Sequence, residues 1–258
     1  MMAVTTFQIV EHTYSIQGMT TQDVMPLLPE HLKDQESHLE DHVAYILDEC
    51  LKAATPKGVY KLFNPAICTL PPDYTEPGIK LVGTMAVLKG EEVYNRMRRA
   101  THCVIMAVSA CSSDAVEALR ERLCRVSSDE EILDACIQAI TLRVADMTNN
   151  AIVCDALDRG LQTDDFLTPG TDTFPLEMNS LLSFYVQTES RLGIKVNKET
   201  MAFPTWGLLG VVGMYDPSQS NRRRACGRCK FRSYCSIRAI GMNCHGRKGT
   251  FKKASPAE

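Results

Sequence analysis

Nowhere does the chain run for about eighteen apolar residues without a charge, so no membrane-spanning helix is expected. Its first residues, MMAVTTFQIVEHTYS, lack both a basic opening and a long apolar stretch. That argues against a secretory signal, and a cytoplasmic protein is the expectation. Internal repeats and low-complexity tracts are also missing, which argues against a solenoid, and DPSQSNRRR reads as a polar linker. Aromatic residues make up only 7% of the chain, with a single tryptophan, Trp206. A regular alternation of strand and helix is absent too, which excludes a doubly wound parallel sheet.

What remains is ordinary globular composition, 45% apolar and 23% charged in 258 residues, enough for a sizeable core. The eleven cysteines are not ordinary. Cys50, Cys68, Cys103, Cys111, Cys124, Cys136 and Cys154 are scattered through apolar segments and read mostly as buried free thiols. Cys226, Cys229, Cys235 and Cys244 cluster instead, and a cluster in a cytosolic chain suggests a metal centre.

The net charge of -3 conceals an asymmetry. Arg222 to Glu258 holds eleven of the 28 basic residues and one of the 31 acidic ones, net +10, leaving 17 basic and 30 acidic elsewhere, net -13. A basic tail can face phosphates, an acidic partner or an anionic cluster of its own. Nucleic acid is the less favoured partner, because the acidic remainder repels a polyanion.

The hydrophobic pattern gives a mixed set of elements. Residues 37–54 carry Leu39, Val43, Ile46, Leu47, Cys50 and Leu51 at helical spacing, behind a Ser37/Glu40 capping box. Tyr60–Phe63 and Ile79–Leu88 read as strands separated by a proline-rich turn over 65–78. Glu91–Ala100 reads as a helix and 102–110 as a buried strand. Ser112 or Ser113 caps a helix running to about Cys124, and a Ser128/Glu131 box opens a long helix to about Leu157. Leu176–Leu192 is a helix stopped by Gly193, and the glycine-rich strand 207–215 comes last. The expectation is an α+β fold, mostly antiparallel sheet packed with helices. It divides into a main domain over residues 1–221 and a cysteine-rich tail over 222–258.

The tail spacing is C-x2-C-x5-C-x8-C. Zinc commonly uses two C-x2-C knuckles, and only one is present. An iron–sulfur cube accepts wider and uneven spacing, and Arg228, Lys230, Arg232 and Arg238 would offset its negative charge. The expected cofactor is therefore an iron–sulfur cluster of the 4Fe–4S type on Cys226, Cys229, Cys235 and Cys244, with zinc as the alternative. His245 could stand in for Cys244. Four cysteine ligands leave no iron open, which suits electron transfer.

The run FLTPGTDTFPLEMNSLLSFYVQTESRLGIKVNKETMAFPTWGLLGVVGMYD, followed by CGRCKFRSYC, resembles the reactivation domain of cobalamin-dependent methionine synthase. It is similar in particular to the free-standing, corrinoid-linked relatives of that domain. KLVGTMAVLKG and RRATHCVIMAVSA fit upstream, so the likeness spans roughly residues 5–238. The resemblance implies a corrinoid protein or corrinoid methyltransferase as partner, to be reduced back to its cobalt(I) state. It also implies an S-adenosylmethionine groove built on an R-x-x-x-G-Y motif. Aligned on Pro169-Gly170, the family arginine falls at Phe166 and the tyrosine at Thr171. Phenylalanine cannot make a two-pronged bond to a carboxylate, which counts against this ligand. Thr168, Pro169, Gly170, Thr171 and Asp172 remain the candidate ligand-binding loop, with Asp172 its charged group.

Other candidates have simpler readings. Cys111, where a strand turns into a helix, could be an activated thiol, but buried packing is the default. Trp206 could touch a flat macrocycle, but packing near a turn is commoner. Asp134, Asp146 and Asp155 have no metal-ligand spacing and read as a solvated helix face. Two alternatives to the redox reading stay open: a binding module with a structural zinc tail, and an S-adenosylmethionine-dependent methyltransferase component.

Overall fold

The computed structural model describes residues 7–33, 38–70, 76–171 and 173–218. The chain divides after Asp216, and the first unit is the one described below. Asp172, Ser37 and the tail cysteines Cys226, Cys229, Cys235 and Cys244 lie outside the described residues.

The elements are β1 Val10–Thr13, α1 Thr21–Val24, a 3-10 turn at Met25–Leu27, α2 Glu30–Lys33, α3 Leu39–Ala53 and β2 Lys57–Phe63. They continue with β3 Pro65–Leu70, β4 Glu76–Leu81, β5 Val87–Leu88, α4 Glu91–Met97, β6 His102–Ser109, α5 Ser113–Leu123 and α6 Ser127–Asp158. The last are β7 Gln162–Thr163, α7 Met178–Val186, α8 Thr188–Leu192 and β8 Gly207–Tyr215. Five strands form one antiparallel sheet in the order β1-β2-β6-β8-β7, and β3-β4-β5 form a second. This is the expected mixture of helices and antiparallel sheet.

The central strands of the large sheet, β2, β6 and β8, are buried on both faces. Register places Tyr60 opposite Met106, and Val104 opposite Val212. Period-2 geometry sends these side chains to one face, where they join Val43, Ile46, Ile137 and Ile140 of α3 and α6. The alternate residues Val59, Ile105, Ala107 and Val211 point the other way, onto Met178 and Leu182 of α7 and Ile79 and Leu88 of the small sheet. β6 is therefore apolar almost throughout: from Cys103 to Ser109 every residue is buried. At about 1.5–3 kcal/mol for a fully buried large apolar side chain, this packing on two faces dominates the stability of the unit.

Four sequence expectations are corrected. Much of the proline-rich segment read as a turn over 65–78 forms strands. β3 pairs with β4 from Pro65↔Leu81 to Leu70↔Glu76. Pro65 is the first residue of an edge strand, and Pro77 precedes the residues of β4 that β5 pairs. Both are places where a missing N–H is tolerated. The continuous strand expected over 79–88 folds back on itself. The Thr84 hydroxyl donates to Leu81 O (2.7 Å) and accepts from Ala86 N (3.0 Å), closing the turn between β4 and β5.

The helix expected over 176–192 is broken at Gln187, whose φ is 58°. Thr188 is buried there and donates to Ile194 O at 2.9 Å, holding the break in place. The long helix α6 runs close to its expected bounds but is capped differently. Asp129, not the Ser128/Glu131 pair, accepts Arg125 N (2.7 Å) and Val126 N (3.1 Å). The helix begins at Ser127, so the third residue of its first turn is Asp129, and a carboxylate there reaches back to the open N–H groups.

Candidate functional site

The loop between β7 and α7 carries the candidate ligand residues. It is fixed at both ends. On the sheet side, Leu167 bridges Val211 through a reciprocal backbone pair, Leu167 N to Val211 O at 2.9 Å and Val211 N to Leu167 O at 2.8 Å. Asp164 accepts the Gly213 N–H (2.6 Å) and the Tyr215 hydroxyl (2.8 Å). The same hydroxyl lies 2.8 Å from Arg96 O, so the end of β8 meets α4 as well as the loop.

On the helix side, Arg96 donates to Asp165 O (3.0 Å) and pairs with Glu92 one turn before it. Glu92 N donates to Thr173 O at 3.1 Å. Gly90 makes this approach possible. Its φ is +114°, and an added Cβ would stand 2.4 Å from Thr173 O. Only glycine takes that backbone angle at no steric cost.

Within the loop, polar groups satisfy one another. Gly170 N and Thr171 N both donate to Phe174 O, at 2.9 and 3.2 Å. Phe174 N lies 3.1 Å from Thr171 O and 3.0 Å from the Thr171 hydroxyl oxygen, both acceptors. The Thr171 and Thr173 hydroxyls are 3.2 Å apart. Phe174 is fully buried in the core beneath. Thr168 and Pro169 are half-buried, while Gly170 and Thr171 are exposed. Thr168, Pro169, Gly170 and Thr171 thus follow one another along the loop, and the last two are bonded to Phe174.

Phe166 points to the opposite face of the sheet, packed against the helical-face core. Its ring fills the space above Gly210. A Cβ on Gly210 would lie 2.7 Å from Phe166 Cζ and 2.3 Å from Leu167 O. The position is occupied by apolar packing over a strand that has no side chain there.

The remaining candidates take structural places. Cys111 is fully buried, and burial, reinforced by the neighbouring Cys50, pushes its thiol up to about 12. That is the reverse of an activated nucleophile. His102 hydrogen-bonds Asn64 Oδ1 through Nδ1 at 2.9 Å, and burial lowers its pKa. Trp206 packs against both core layers, and its carbonyl accepts Ala110 N at 2.9 Å. Asp134 pairs with Arg120 (3.0 Å) and Asp155 with Arg159 (2.7 Å), while Asp146 is exposed. Among the described residues, no group of three or more His, Cys, Asp or Glu side chains could hold a metal ion, and no helix is long and apolar enough to cross a membrane.

Sequence reasoning missed the group Glu92, Arg96, Asp164 and Tyr215. Glu92 and Arg96 stand four apart on one helix, a spacing that can be read directly. Asp164 and Tyr215 are 51 residues apart, and nothing local announces their pairing.

The body is thus an α+β unit in which a doubly covered antiparallel sheet presents a clamped β7–α7 loop. No family model matches the sequence, and no curated protein is significantly similar to it. Among solved structures, the chain is similar to the crystal structure of the MetH reactivation domain bound to AdoHcy. The TM-score is 0.51 at 11% identity, covering 92% of this chain and 87% of the other. At that identity the likeness is one of fold.

Proposed function

We propose that this protein is an accessory factor of corrinoid-dependent methyl transfer, which engages a corrinoid protein and returns its cobalt to the active, reduced state. The observation that carries this reading is the fold likeness to the MetH reactivation domain over nearly the whole length of both chains. The body would act as the docking platform. Its acidic character, net -13 outside the tail, and the basic tail, net +10, would give the two parts different charge preferences for a partner.

The tail supplies the donor set. Four thiolates at C-x2-C-x5-C-x8-C would hold a 4Fe–4S cluster through Cys226, Cys229, Cys235 and Cys244. Held by those four thiolates and reduced by a low-potential one-electron donor, such a cluster would supply the single electron that separates cobalt(II) from cobalt(I). Arg228, Lys230, Arg232 and Arg238 would favour the more negative, reduced form and so raise its potential. The protein's part is positioning and electrostatics around chemistry that belongs to the cofactors.

The test is anaerobic purification of the full chain, with iron and acid-labile sulfide measured against protein. The expected preparation is brown, carries about four irons per chain, as the cube requires, and bleaches with dithionite. Mixed with a cobalt(II) corrinoid protein and reductant, it should speed the appearance of cobalt(I), and Cys229→Ser should abolish that gain. A colourless protein with one zinc per chain would replace this reading with that of a zinc-stapled binding module.

A further inference from the structure

A sheet edge leaves a row of backbone groups unpaired, and folded proteins shield such rows with short strands, charges or prolines. The two sheets have β1 and β7 as the edges of one and β3 and β5 as the edges of the other. β5 and β7 are only two residues each. β1 carries Glu11, which is tied to Arg191 at 2.9 Å. β3 has none of these devices along its length. It runs for six residues without a charge, and its only proline stands at the first position. Its Ile67 is 61% exposed.

The hydrogen bonds show which groups of β3 are open. Val82 N donates to Asn64 O at 2.9 Å, so Asn64 and Val82 are a bonded pair. The alternation of an antiparallel ladder makes Ala66–Lys80, Cys68–Gly78 and Leu70–Glu76 the next bonded pairs. Leu81 N agrees with this, since it turns the other way, to Ala86 O at 3.0 Å. The N–H groups of Ile67 and Thr69, and the carbonyls of Pro65, Ile67 and Thr69, therefore point away from β4. Among the described residues, no strand or loop bonds to them. A row of open amides and carbonyls selects an extended chain as its occupant.

We propose that the open edge of β3 pairs with β3 of a second copy of this chain, antiparallel about a two-fold axis at Ile67. That register uses every open N–H of the edge. Ile67 N of each copy donates to Ile67 O of the other, and Thr69 N of each donates to Pro65 O of the other. Pro65 has no N–H and needs no acceptor in return. The two exposed isoleucines stand directly opposite, with Cβ atoms about 5 Å apart. The lack of charge in β3 suits this occupant in particular. A two-fold axis sets a central residue beside its own image, so a charge there would meet its like. Moving the axis to Cys68 keeps as many bonds but sets each Ile67 against a Thr69 and loses the apolar pair. An edge of this length buries less than the roughly 1,200 Å² of a standard interface, so the pairing is weak and depends on concentration.

The experiment is sedimentation velocity of the full chain from low to high micromolar concentration, with reductant present so that thiols cannot link chains. The expected result is a shift from one chain to two as concentration rises, and a single chain throughout overturns the proposal. Ile67→Lys changes an exposed side chain, so the urea unfolding midpoint should stay in place while association weakens by about tenfold or more. Unchanged association in that variant places the contact elsewhere and overturns the proposal. Thr69→Pro, which removes an outward N–H that β4 does not use, is the second probe and should weaken association likewise. Ile67→Glu should behave as Ile67→Lys does, and an equimolar mixture of the two should associate more strongly than either alone, because opposite charges then meet across the axis. A mixture no stronger than its parts overturns the two-fold register. None of these measurements reads iron content or cobalt reduction, so the corrinoid reading stands or falls by its own test.

Discussion

The two faces of the central sheet are built by different means. The helical face is covered by α3, α5 and α6 and held by apolar side chains, with Ile132, Leu133, Ile137 and Ile140 of α6 fully buried. The opposite face is covered by short elements, α4, α7 and the small sheet. There, apolar packing is supplemented by polar ties: Glu92 to Thr173, Arg96 to Asp165, and Asp164 to Gly213 and Tyr215. A long helix with a continuous apolar stripe positions itself. A loop cannot, so its place must be specified by individual hydrogen bonds.

The sharpest way to break this contrast is in the helical core. Ile137→Ala removes a fully buried side chain and should cost about 2–5 kcal/mol in urea unfolding, because a 32-residue helix anchored along its length cannot collapse into the cavity. A cost below 1 kcal/mol would mean that the helical layer is loosely seated.

Alkaline pH should come next. Burial raises the thiol of Cys103, burial and the Cys50 neighbour raise that of Cys111 to about 12, and a hydrogen bond with Cys136 together with burial raises that of Cys50. A group whose folded pKa is raised favours the folded state fully below its unfolded value. That contribution is lost as pH rises from the unfolded value of 9.0 toward the folded one. Unfolding free energy should therefore fall above about pH 9, by up to about 1.4 kcal/mol per pH unit for each thiol. A flat profile between pH 8 and 10 would mean that these thiols are not sealed from water.

On the loop side, Gly210→Ala should cost about 1–3 kcal/mol, because the new methyl meets the Leu167 carbonyl, which is backbone and cannot rotate away. Tyr215→Phe should cost less, about 1 kcal/mol, the net worth of a hydrogen bond. Hydrogen exchange at the Asp164–Thr173 amides, read alongside, should quicken in that variant while α6 stays protected. Equal loosening of both would erase the distinction between the faces.

Much of this architecture could be read from residues alone. Ser112 as a helix cap was legible, and its hydroxyl accepts Ala115 N at 3.2 Å. So were the apolar stripe of α3 and the unbroken apolar run of β6, because local periodicity and capping chemistry act within a few residues. β3 was hidden because Pro65, which opens it, belongs to a proline-rich segment that imitates a turn, and the start of an edge strand forgives it. The break at Gln187 was hidden because no glycine marks it. The residue after the left-handed one is a buried threonine bonded to a carbonyl six residues on, a contact that no local pattern announces.

The candidate loop was legible as a turn, through Pro169 and Gly170. Its closure was not, since it depends on Glu92 and Arg96 from a distant helix and on Gly210 from the last strand.

By itself, the sequence determined the kinds of elements, the seven dispersed thiols and the four clustered ones, and the split of charge between an acidic body and a basic tail. These follow from composition and short-range spacing. Only the tertiary structure decided which elements seal the two faces of β6, that Phe166 lies over Gly210, and that Asp165 and Thr173 are tied to α4. Those facts depend on contacts between residues tens of positions apart, where no local pattern can record which side chain will fill which space.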